Sequence, residues 1–489
     1  MENLADNREI DGKQDLSKSM NFSGLLGMGI GCIFGSSWLV MAGTWLDISG
    51  GPINAIIAFV LCLVVELPLA LSYLEAVPMI PLAGGEMIYS YLAFGGFAGM
   101  IAGWFGAVVN IILCAWESIA ITKMVGYLFP SVKTVGTLYM ISGFNVTILL
   151  IILGLAVIWG IAFIQYKGVK ISTKFQTGTT ITVISLVIVS TIVGLTRFNS
   201  VNLQPLTIKP MSKGTLSLLV MLPFSVAGWE TISKGAEEAN LSISRKKVGA
   251  AVVISLIFSI SMYIITLIVP AGVVPWRDLL KSDVPFATAM RSAGAPIFGI
   301  LLILAACVGV IGVYNSVFYG ATRLLYSMGE VGLIPKKFAY VHPKYKTPTF
   351  TIIFVSVIAS IAPFIGSAAL IPLIDVASFA YIVLWGSTLA SVLRLRKTQP
   401  DLDRPAKMPG GKLVGYVGLI IALILLLIIL IPTSPGSLAW PSEYLLLIGL
   451  IALGTILYIF RDKSVSKDEK YKMILGDISK QIIIRDEKS

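Results

Sequence analysis

The stretch MLPFSVAGWETISKGAEEAN, residues 221–240, begins like a membrane-spanning helix and then becomes polar. Its apolar run gives way to Ala227 and Gly228, and the carboxylate of Glu230 follows two residues later. A charge near the centre of a bilayer costs about 3 kcal/mol unless it lines a cavity or has a partner. The stretch therefore predicts a helix that is interrupted beside a polar hollow.

The whole chain has the composition of an integral membrane protein. Of its 489 residues, 56% are hydrophobic and only 13% are charged, and a soluble protein this apolar could not cover its own surface. Apolar runs of roughly 20 residues, long enough to cross about 30 Å of hydrocarbon, recur from Phe22 to Phe460. These runs are continuous, whereas the strands of a membrane barrel alternate, so they predict helices.

The apolar runs define an all-α membrane protein with about 12 transmembrane helices. Their boundaries come from hydropathy alone and are good to a few residues. The predicted spans are residues 22–46, 52–76, 97–129, 143–166, 174–196, 214–236, 247–271, 296–328, 349–366, 369–395, 413–432 and 442–460.

Lysine and arginine gather in alternate loops between these spans. The net charge of +11 could indicate a nucleic-acid partner, but the loops at 167–174, 234–247, 323–346 and 394–412 hold 18 basic residues, against seven in the opposite loops. By the positive-inside rule these loops and both termini face the cytoplasm. The polar residues 1–21 lack the apolar core of a cleavable signal. The pattern predicts a multi-pass protein of the cell membrane with no nucleic-acid partner.

All four cysteines, Cys32, Cys62, Cys114 and Cys307, fall within apolar runs. None lies in a loop where a structural disulfide or a metal pair would be expected, so we predict small buried side chains and no metal site. The loop between the third and fourth spans contains no cysteine, which argues against a disulfide-linked partner subunit. We expect a monomer.

Two predicted spans share a glycine-rich or proline-containing interruption. The first contains GLLGMGIGCIFGSSW, residues 24–38, and the sixth contains PFSVAGWE, residues 223–230. Interrupted helices at matching positions of two five-helix halves indicate an inverted-repeat transporter with its binding site at the breaks. The free N–H groups there suit a carboxylate, and the free carbonyls suit an ammonium group or a cation. The alternative is that the glycines permit close helix packing.

Several motifs, in order along most of the chain, resemble the amino acid-polyamine-organocation superfamily of secondary transporters. Each motif is modestly specific, and their common order makes the resemblance strong. The motifs are FGSSW at 34–38, SYLEAVPMIPLAGGEMIYSYLAFGGFAGMIAGW at 72–104, VAGWETISKGAEEANLSISRKKV at 226–248, RLLYSMGEVGLIPKKFAYVHPKYKTP at 323–348 and RPAKMPGG at 404–411.

The resemblance implies a core of five plus five inverted helices, with helices one and six broken and two helices added at the C-terminus. It also implies movement of amino acids or amines by alternating access. The corresponding divisions are an N-terminal cytoplasmic tail at 1–21, a first repeat at 22–196, a second repeat at 197–396, helices eleven and twelve at 397–460 and a C-terminal cytoplasmic tail at 461–489.

Two departures from the family pattern leave the solute and the coupling open. Ser37 replaces a third small glycine in the first break, so a smaller amine, or a carboxylate bound by Ser36 and Ser37, fits as well as an ordinary amino acid. Helix five has Ser185 but no lysine in TGTTITVISLVIVS, where some family members carry an ammonium in place of sodium. Coupling to protons, coupling to sodium and exchange of solutes all remain open.

The predicted substrate-binding residues belong to the two breaks and the helices beside them. Asn110, Cys114 and Glu117 follow at i, i+4 and i+7 and share one helix face, where Glu117 could pair with the ammonium of a basic substrate. An internal structural partner for Glu117 is the alternative. The full predicted set is Ile33, Gly35, Ser36, Ser37, Asn110, Cys114, Glu117, Phe224, Val226, Ala227, Gly228 and Asn315.

The residues around the second break are predicted to gate the site. Phe224 stands where the family has an aromatic that closes over the solute, and Trp229, like Trp38, could make a cation–π contact with an amine. Glu230 is a candidate gate or proton carrier. The alternative is a hydrogen bond from Glu230 to the break in helix one. Asn315 and Ser316 are candidate polar contacts to substrate or sodium, and an interhelical hydrogen bond is the alternative for both.

The sequence favours a transporter over an enzyme. Its one histidine lies in a loop motif, and no HExxH pair, phosphate-binding loop or nucleophile elbow is present. We expect no cofactor. The leading prediction is a secondary transporter, a symporter or an exchanger, that favours cationic or amine solutes. The alternatives are a permease for neutral amino acids and a channel or nutrient receptor on a transporter fold. Glu66, a third acidic residue within a span, has no assigned role.

Overall fold

The structure is a computed structural model that describes residues 21–82, 84–168, 173–236, 243–464 and 474. The predicted N-terminal and C-terminal tails lie almost wholly outside these residues. The acidic pair Glu237 and Glu238 of the helix-six motif also lies outside them. The regular secondary structure of the described part is helical apart from one short hairpin.

The first half of the chain begins with three short helices and continues with longer ones. Asn21 caps the first of them, because its side chain accepts a hydrogen bond from the Gly24 N–H at 2.8 Å. The helices are α1 (Phe22–Ile33), α2 (Ser37–Val40), α3 (Ala42–Ser49), α4 (Pro52–Met79), α5 (Gly85–Phe94), α6 (Gly96–Leu128), α7 (Ile148–Tyr166) and α8 (Thr173–Leu195).

The second half likewise opens with three short helices before its long ones begin. Those three are α9 (Met211–Leu219), α10 (Leu222–Val226) and α11 (Thr231–Gly235). The remaining helices are α12 (Arg245–Val273), α13 (Trp276–Leu279), α14 (Pro285–Ser292), α15 (Pro296–Glu330), α16 (Thr349–Ala359), α17 (Ala362–Ile365), α18 (Leu370–Thr398), α19 (Gly411–Leu430) and α20 (Ser442–Ile459).

A β-hairpin between α6 and α7 departs from the predicted all-helical architecture. Strands β1 (Thr137–Ile141) and β2 (Phe144–Thr147) pair antiparallel. The fourth span, predicted to begin at residue 143, therefore begins at Ile148. Hydropathy alone placed this boundary too early, because the residues of β2 are partly apolar although they pair as a strand. Thr147 caps α7 by accepting a hydrogen bond from the Leu150 N–H at 3.3 Å.

Ten segments of the described chain are long and apolar enough to cross a membrane. One of them, Thr349–Thr398, contains α16, α17 and α18. Large apolar side chains are exposed on the outer helices, including Phe163 on α7, Ile192 on α8 and Ile420 on α19. Such a surface is unfavourable in water and is stable against lipid. The chain is a multi-pass membrane protein.

The interior of the bundle is formed by long helices that run past the short ones. α6 packs along α15 and α18, and α4 packs along α12. α1 lies against α8 and α12. The short helix α2 contacts α6, and the short helix α11 contacts α1. The gaps between α1 and α2 and between α10 and α11 are therefore enclosed by α4, α6, α12, α15 and α18.

Candidate substrate site

The first helix break lies at residues 34–36, between the end of α1 at Ile33 and the start of α2 at Ser37. The hydroxyl of Tyr263, on α12, donates a hydrogen bond to the Ile33 carbonyl at 2.6 Å. The Trp38 indole donates to the Gly35 carbonyl at 2.8 Å. Two aromatic side chains thus satisfy carbonyls that the helix leaves free.

Glu117, on α6, contacts this first break directly. Its Oε2 accepts a hydrogen bond from the Ser36 hydroxyl at 2.6 Å, and only 2% of the residue is exposed. A Cβ atom added to Gly35 would lie 2.6 Å from Glu117 Oε1, so the carboxylate approaches the backbone more closely than any side chain at position 35 would permit. The predicted polar face of α6 thus brings one carboxylate to the first break.

The second break lies at residues 227–230, between the end of α10 at Val226 and the start of α11 at Thr231. Gly228 has φ +127°, a backbone conformation that residues other than glycine rarely adopt. Its N–H donates to Glu230 Oε2 at 2.8 Å. Its carbonyl accepts from the Thr231 hydroxyl. Glu230 therefore caps its own break and makes no hydrogen bond to the first break in the described chain.

Gly228 of the second break lies against the last turn of α1, directly before the first break. A Cβ atom there would lie 2.6 Å from the Ile33 nitrogen and 2.7 Å from the Cys32 carbonyl carbon. The α10 side of the break is fixed to α18 by Ser378, whose hydroxyl accepts from the Phe224 N–H at 3.2 Å and donates to the Met221 carbonyl at 3.0 Å. The second break therefore lies beside the end of α1 at which the first break begins.

Several backbone groups in this region have no hydrogen-bond partner within the described part of the chain. At the first break they are the N–H groups of Gly35 and Ser37. At the second break they are the Ala227 N–H and the carbonyls of Val226 and Ala227. A buried backbone group without a partner is unfavourable, so these groups are suited to bind a polar molecule.

Aromatic side chains close the region on two sides. Trp38 stacks on Phe34 with ring centroids 5.3 Å apart and meets Phe286 edge-on at 6.4 Å. On the other side Trp229 packs against Trp385 at 4.7 Å and against Tyr73 at 5.0 Å. The predicted aromatic neighbours of both breaks are thus buried in packed clusters.

Phe224 packs edge-on against Trp116 of α6, with ring centroids 5.5 Å apart. Both side chains are buried. Trp116 immediately precedes Glu117, so α6 presents an aromatic ring to the second break and a carboxylate to the first. Sequence reasoning did not identify Trp116, because an aromatic in an apolar span gives no signal that separates packing from function.

Glu66 lies beside the second aromatic cluster. Its Oε1 accepts from the Cys62 thiol at 3.2 Å, and its Oε2 accepts from the Trp229 indole at 3.4 Å. The residue is 1% exposed. Glu66 was singled out in the sequence as an acidic residue within a span, but its partners follow only from packing. The carboxyl of Glu66 holds Trp229 in place behind the break.

The remaining predicted residues have partners of their own. Asn110 donates to the Gly106 carbonyl of its own helix at 2.7 Å and lies near Gly320 on α15. Asn315 accepts from the Gln165 side chain at 2.7 Å. Ser316 donates to Gln176 at 2.9 Å.

These contacts separate Ser316, which is linked to the first break, from Asn315, which is not. Gln176 in turn lies 3.8 Å from the Cys32 sulfur at the end of α1, so Ser316 reaches the first break indirectly. Asn315 instead faces α7 through Gln165. Tyr263 and Ser378 support the breaks and were not anticipated, because a single polar atom in a long apolar span has no distinguishing sequence pattern.

Known proteins match the part of the chain that contains both breaks. The amino acid permease family model matches residues 20–453. The chain is 25% identical over 477 residues to the branched-chain amino acid permease BcaP of Bacillus subtilis (strain 168), with 93% of this chain and 95% of that protein covered. It is 26% identical over 462 residues to the methylthioribose transporter of the same organism, with 93% and 95% covered.

A third similar protein of Bacillus subtilis (strain 168) is the glutamate/serine transporter AimA. The chain is 28% identical to it over 439 residues, with 84% of this chain and 77% of that protein covered. All three similar proteins are transporters by name, and the chain is a transporter rather than an enzyme. Because the family model covers both breaks and nearly all of the helices around them, the chain belongs to the amino acid permease family of the amino acid-polyamine-organocation superfamily.

Proposed function

We propose that this permease is a secondary transporter that binds an amino acid or a related amine between its two helix breaks and moves it by alternating access. The observation that carries the proposal is the set of partnerless backbone groups on both sides of the contact between Gly228 and Ile33. Irregular backbone at membrane depth is tolerated where it is buried in protein or lines a cavity that holds something polar.

The two ends of a zwitterion fit the two kinds of free group. The N–H groups of Gly35 and Ser37 suit a carboxylate, because the start of a helix carries partial positive charge. The carbonyls of Val226 and Ala227, at the end of α10, suit an ammonium group. Part of the binding energy therefore comes from the backbone, which any α-amino acid can use.

Glu117 inclines the site toward cationic or amine solutes. Ser36 is the hydrogen-bond partner of its buried carboxylate in the described chain, and a buried carboxylate is stabilised by a positive partner. An ammonium group that enters the first break would supply that partner. The similar proteins carry the names of different solutes, so the choice of solute rests on this chain's own residues. A site for neutral amino acids, in which Glu117 only fixes Ser36, is the alternative.

The proposed architecture treats the short helices as parts of two interrupted membrane spans. α1, α2 and α3 form helix one, and α9, α10 and α11 form helix six. With α16 and α17 assigned to helix nine, we propose 12 spans in two five-helix halves, 22–196 and 197–396, followed by α19 and α20. Both termini face the cytoplasm, the protein lies in the cell membrane, and it acts as a monomer.

Coupling is proposed to involve the second break. Glu230 caps Gly228 and lies between the two halves of helix six, so binding or release of a proton there changes the charge beside the break. Proton coupling is therefore the first choice, with sodium near Ser316 or exchange against a second solute as the alternatives. The side chains of Ser36, Glu117, Phe224 and Trp229 are all buried, which corresponds to a closed state of the cycle.

Counterflow in proteoliposomes tests the proposal. Vesicles containing the purified protein are loaded with one unlabelled amino acid or amine at a time, and uptake of a trace of the labelled solute is followed. A carrier shows saturable uptake that exceeds the external concentration transiently. A channel shows uptake without counterflow, and a receptor shows binding without uptake, and either result would contradict the proposal.

A further inference from the structure

Asp283, in the loop before α14, is the acidic partner of two lysines at one end of the bundle. Its carboxylate accepts a hydrogen bond from the Lys133 ammonium and lies 3.6 Å from the Lys123 nitrogen. Lys123 belongs to α6, and Lys133 ends the single 3-10 turn that follows α6. The side chain of Lys123 is 14% exposed, whereas those of Lys133 and Asp283 are 37% and 31% exposed. One carboxylate therefore serves two ammonium groups, one of which is mostly buried.

The positive charge of this cluster exceeds its negative charge. Among the described residues, Asp283 and Lys133 are the charged groups that interact with Lys123. The adjoining segment at 276–292, which contains α13 and α14, carries three basic and two acidic side chains, so it supplies no surplus of negative charge. The loops on this side of the spans, which include residues 129–147, 196–210 and 274–295, all belong to the described chain. The cluster thus has the charge of one unneutralised ammonium group.

The cluster lies on the outer side of the first break. Lys123 follows Glu117 by six residues, which is about 9 Å along a helix axis, and Glu117 contacts the first break. The loop of Asp283 leads into α14, where Phe286 meets Trp38 edge-on at 6.4 Å. In the proposed orientation this end of α6 faces the outside. The two lysines therefore lie between the outer surface and the first break, beside the helix that covers it.

Polar contacts attach α14 to the end of α6. The Thr288 hydroxyl donates to the Tyr127 hydroxyl at 3.5 Å, and the Arg291 guanidinium carbon lies 5.4 Å from the centre of the Tyr127 ring. The ion pairs of Asp283 add to these contacts. A partly exposed ion pair contributes little to stability, because water and salt screen it. The lysines can therefore exchange Asp283 for another carboxylate at little cost.

We propose that Lys123 and Lys133 form an outer binding site for the carboxylate of an incoming solute, and that Asp283 occupies this site in the closed state. When α14 moves away, Asp283 leaves with it, and the two ammonium groups remain at the end of α6. A solute carboxylate then takes the place of Asp283 through charge-assisted hydrogen bonds, before the solute reaches the breaks. The movement of α14 and the passage of solute rest on the proposed transport function, but the affinity of the lysines for a carboxylate does not.

Rescue by acetate tests the binding site without transport. In Asp283→Ala the two ammonium groups lose their carboxylate, so the purified variant should melt at a lower temperature than wild type. Acetate should raise that temperature by about 2 °C more than chloride does at the same ionic strength. Wild type should not respond, because Asp283 occupies the site. The double variant Asp283→Ala with Lys133→Met should not respond either, because one ammonium group is missing. Equal effects of acetate and chloride on Asp283→Ala would overturn the site.

The KM values of two variants separate a carboxylate site from a simple latch on α14. They are measured for uptake of labelled lysine, serine and leucine, which share a carboxylate, by intact cells that produce the protein. In Lys133→Met the KM should rise about tenfold with the maximal rate retained, because a charge-assisted bond to the solute is lost. In Asp283→Asn the KM should fall several-fold, because the resident competitor has lost its charge. If Asp283 only fastened α14, both variants would loosen the helix and move the KM in the same direction, which would overturn the proposal.

Lys281→Met is the matched control, because Lys281 is an exposed lysine of the same loop and no ion pair joins it to Asp283 in the described chain. Its KM should equal that of wild type, and a rise as large as in Lys133→Met would overturn the site in favour of general surface charge. If Asp283→Ala does not fold, the KM of Lys133→Met decides. If wild type takes up none of the three amino acids while acetate rescues Asp283→Ala, the transport proposal fails and the carboxylate site stands.

Discussion

The two helix breaks differ in where their carboxylate comes from. At the first break, Ser36 binds Glu117, which is 81 residues away on another helix. At the second break, Gly228 binds Glu230, which is two residues away in the same segment. The first break is therefore completed by tertiary structure, whereas the second is completed locally. A solute can exchange with the long-range contact at the first break, and a proton can act on the local one.

This difference assigns the breaks separate tasks in the proposed cycle. A contact between two helices is broken or remade when those helices move, so the bond between Ser36 and Glu117 reports on the position of helix one. A contact within one segment moves with it, so Glu230 keeps the shape of the second break in every state. A substitution that changes the backbone shape of a break should therefore reduce stability and uptake more than removal of either carboxylate.

The largest effect is expected for Gly228→Ala. The positive φ and the 2.6 Å approach to the Ile33 nitrogen leave no room for a Cβ atom, so the variant should lose about 3 kcal/mol of stability and all uptake. Thermal unfolding and solute uptake measure both. Gly160→Ala, on α7 where a Cβ meets nothing within 4 Å, is the control and should behave as wild type. Normal uptake by Gly228→Ala would show that the close approach of Gly228 to the end of α1 is not required.

The second effect in size concerns Glu117→Gln. An ammonium group bound to a carboxylate is worth about 1.5–3 kcal/mol, so uptake of lysine, ornithine or diamines should fall roughly tenfold or more. Uptake of neutral amino acids by the same variant is the internal control and should fall far less. Equal losses for both classes would mean that Glu117 only supports Ser36.

A smaller and more selective effect is expected for Glu230→Gln. The amide oxygen of Gln can still accept from the Gly228 N–H, so the break keeps its shape, but the side chain no longer binds and releases a proton. Accumulation driven by a pH gradient should disappear while exchange of solutes continues. Accumulation that responds to the gradient as in wild type would remove Glu230 from the coupling.

The smallest effect is expected for Tyr263→Phe. This change removes one hydrogen bond to the Ile33 carbonyl and should lower stability by about 1 kcal/mol, with uptake reduced only a few fold. Tyr416→Phe, at an exposed position on α19, is the matched control for loss of a tyrosine hydroxyl. Identical melting curves for the two variants would mean that Tyr263 does not support the first break.

The sequence predicted the positions of the helices and the breaks better than it predicted the partners. Gly35 and Ser36 place the first break within residues 34–36, because local composition decides where a helix can unwind. The contact from Ser36 to Glu117 joins distant parts of the chain, and no local pattern encodes it. The bond from Glu230 to Gly228 could have been predicted, since an acidic side chain two residues after a turn can reach its N–H.

The same difference between local patterns and long-range contacts explains which features were not predicted. The hairpin at β1 and β2 was not predicted because its residues are as apolar as those of a helix end. The contact of Asn315 with the solute stays a prediction, and its hydrogen bond from Gln165 of α7 could not be read from the sequence. Tyr263 and Ser378 were absent from the predicted site because their roles follow from packing. Contacts between distant residues, rather than secondary structure, were the feature that could not be predicted from the sequence.

A structure determined with a bound solute tests the central claim most directly. The solute would be the amino acid or amine that raises the melting temperature of the purified protein most. We predict that its carboxylate contacts the N–H groups near Gly35 and that its ammonium group contacts the carbonyls of Val226 and Ala227. A solute bound elsewhere, with residues 34–36 and 227–230 making no contact with it, would contradict the proposed role of the two breaks.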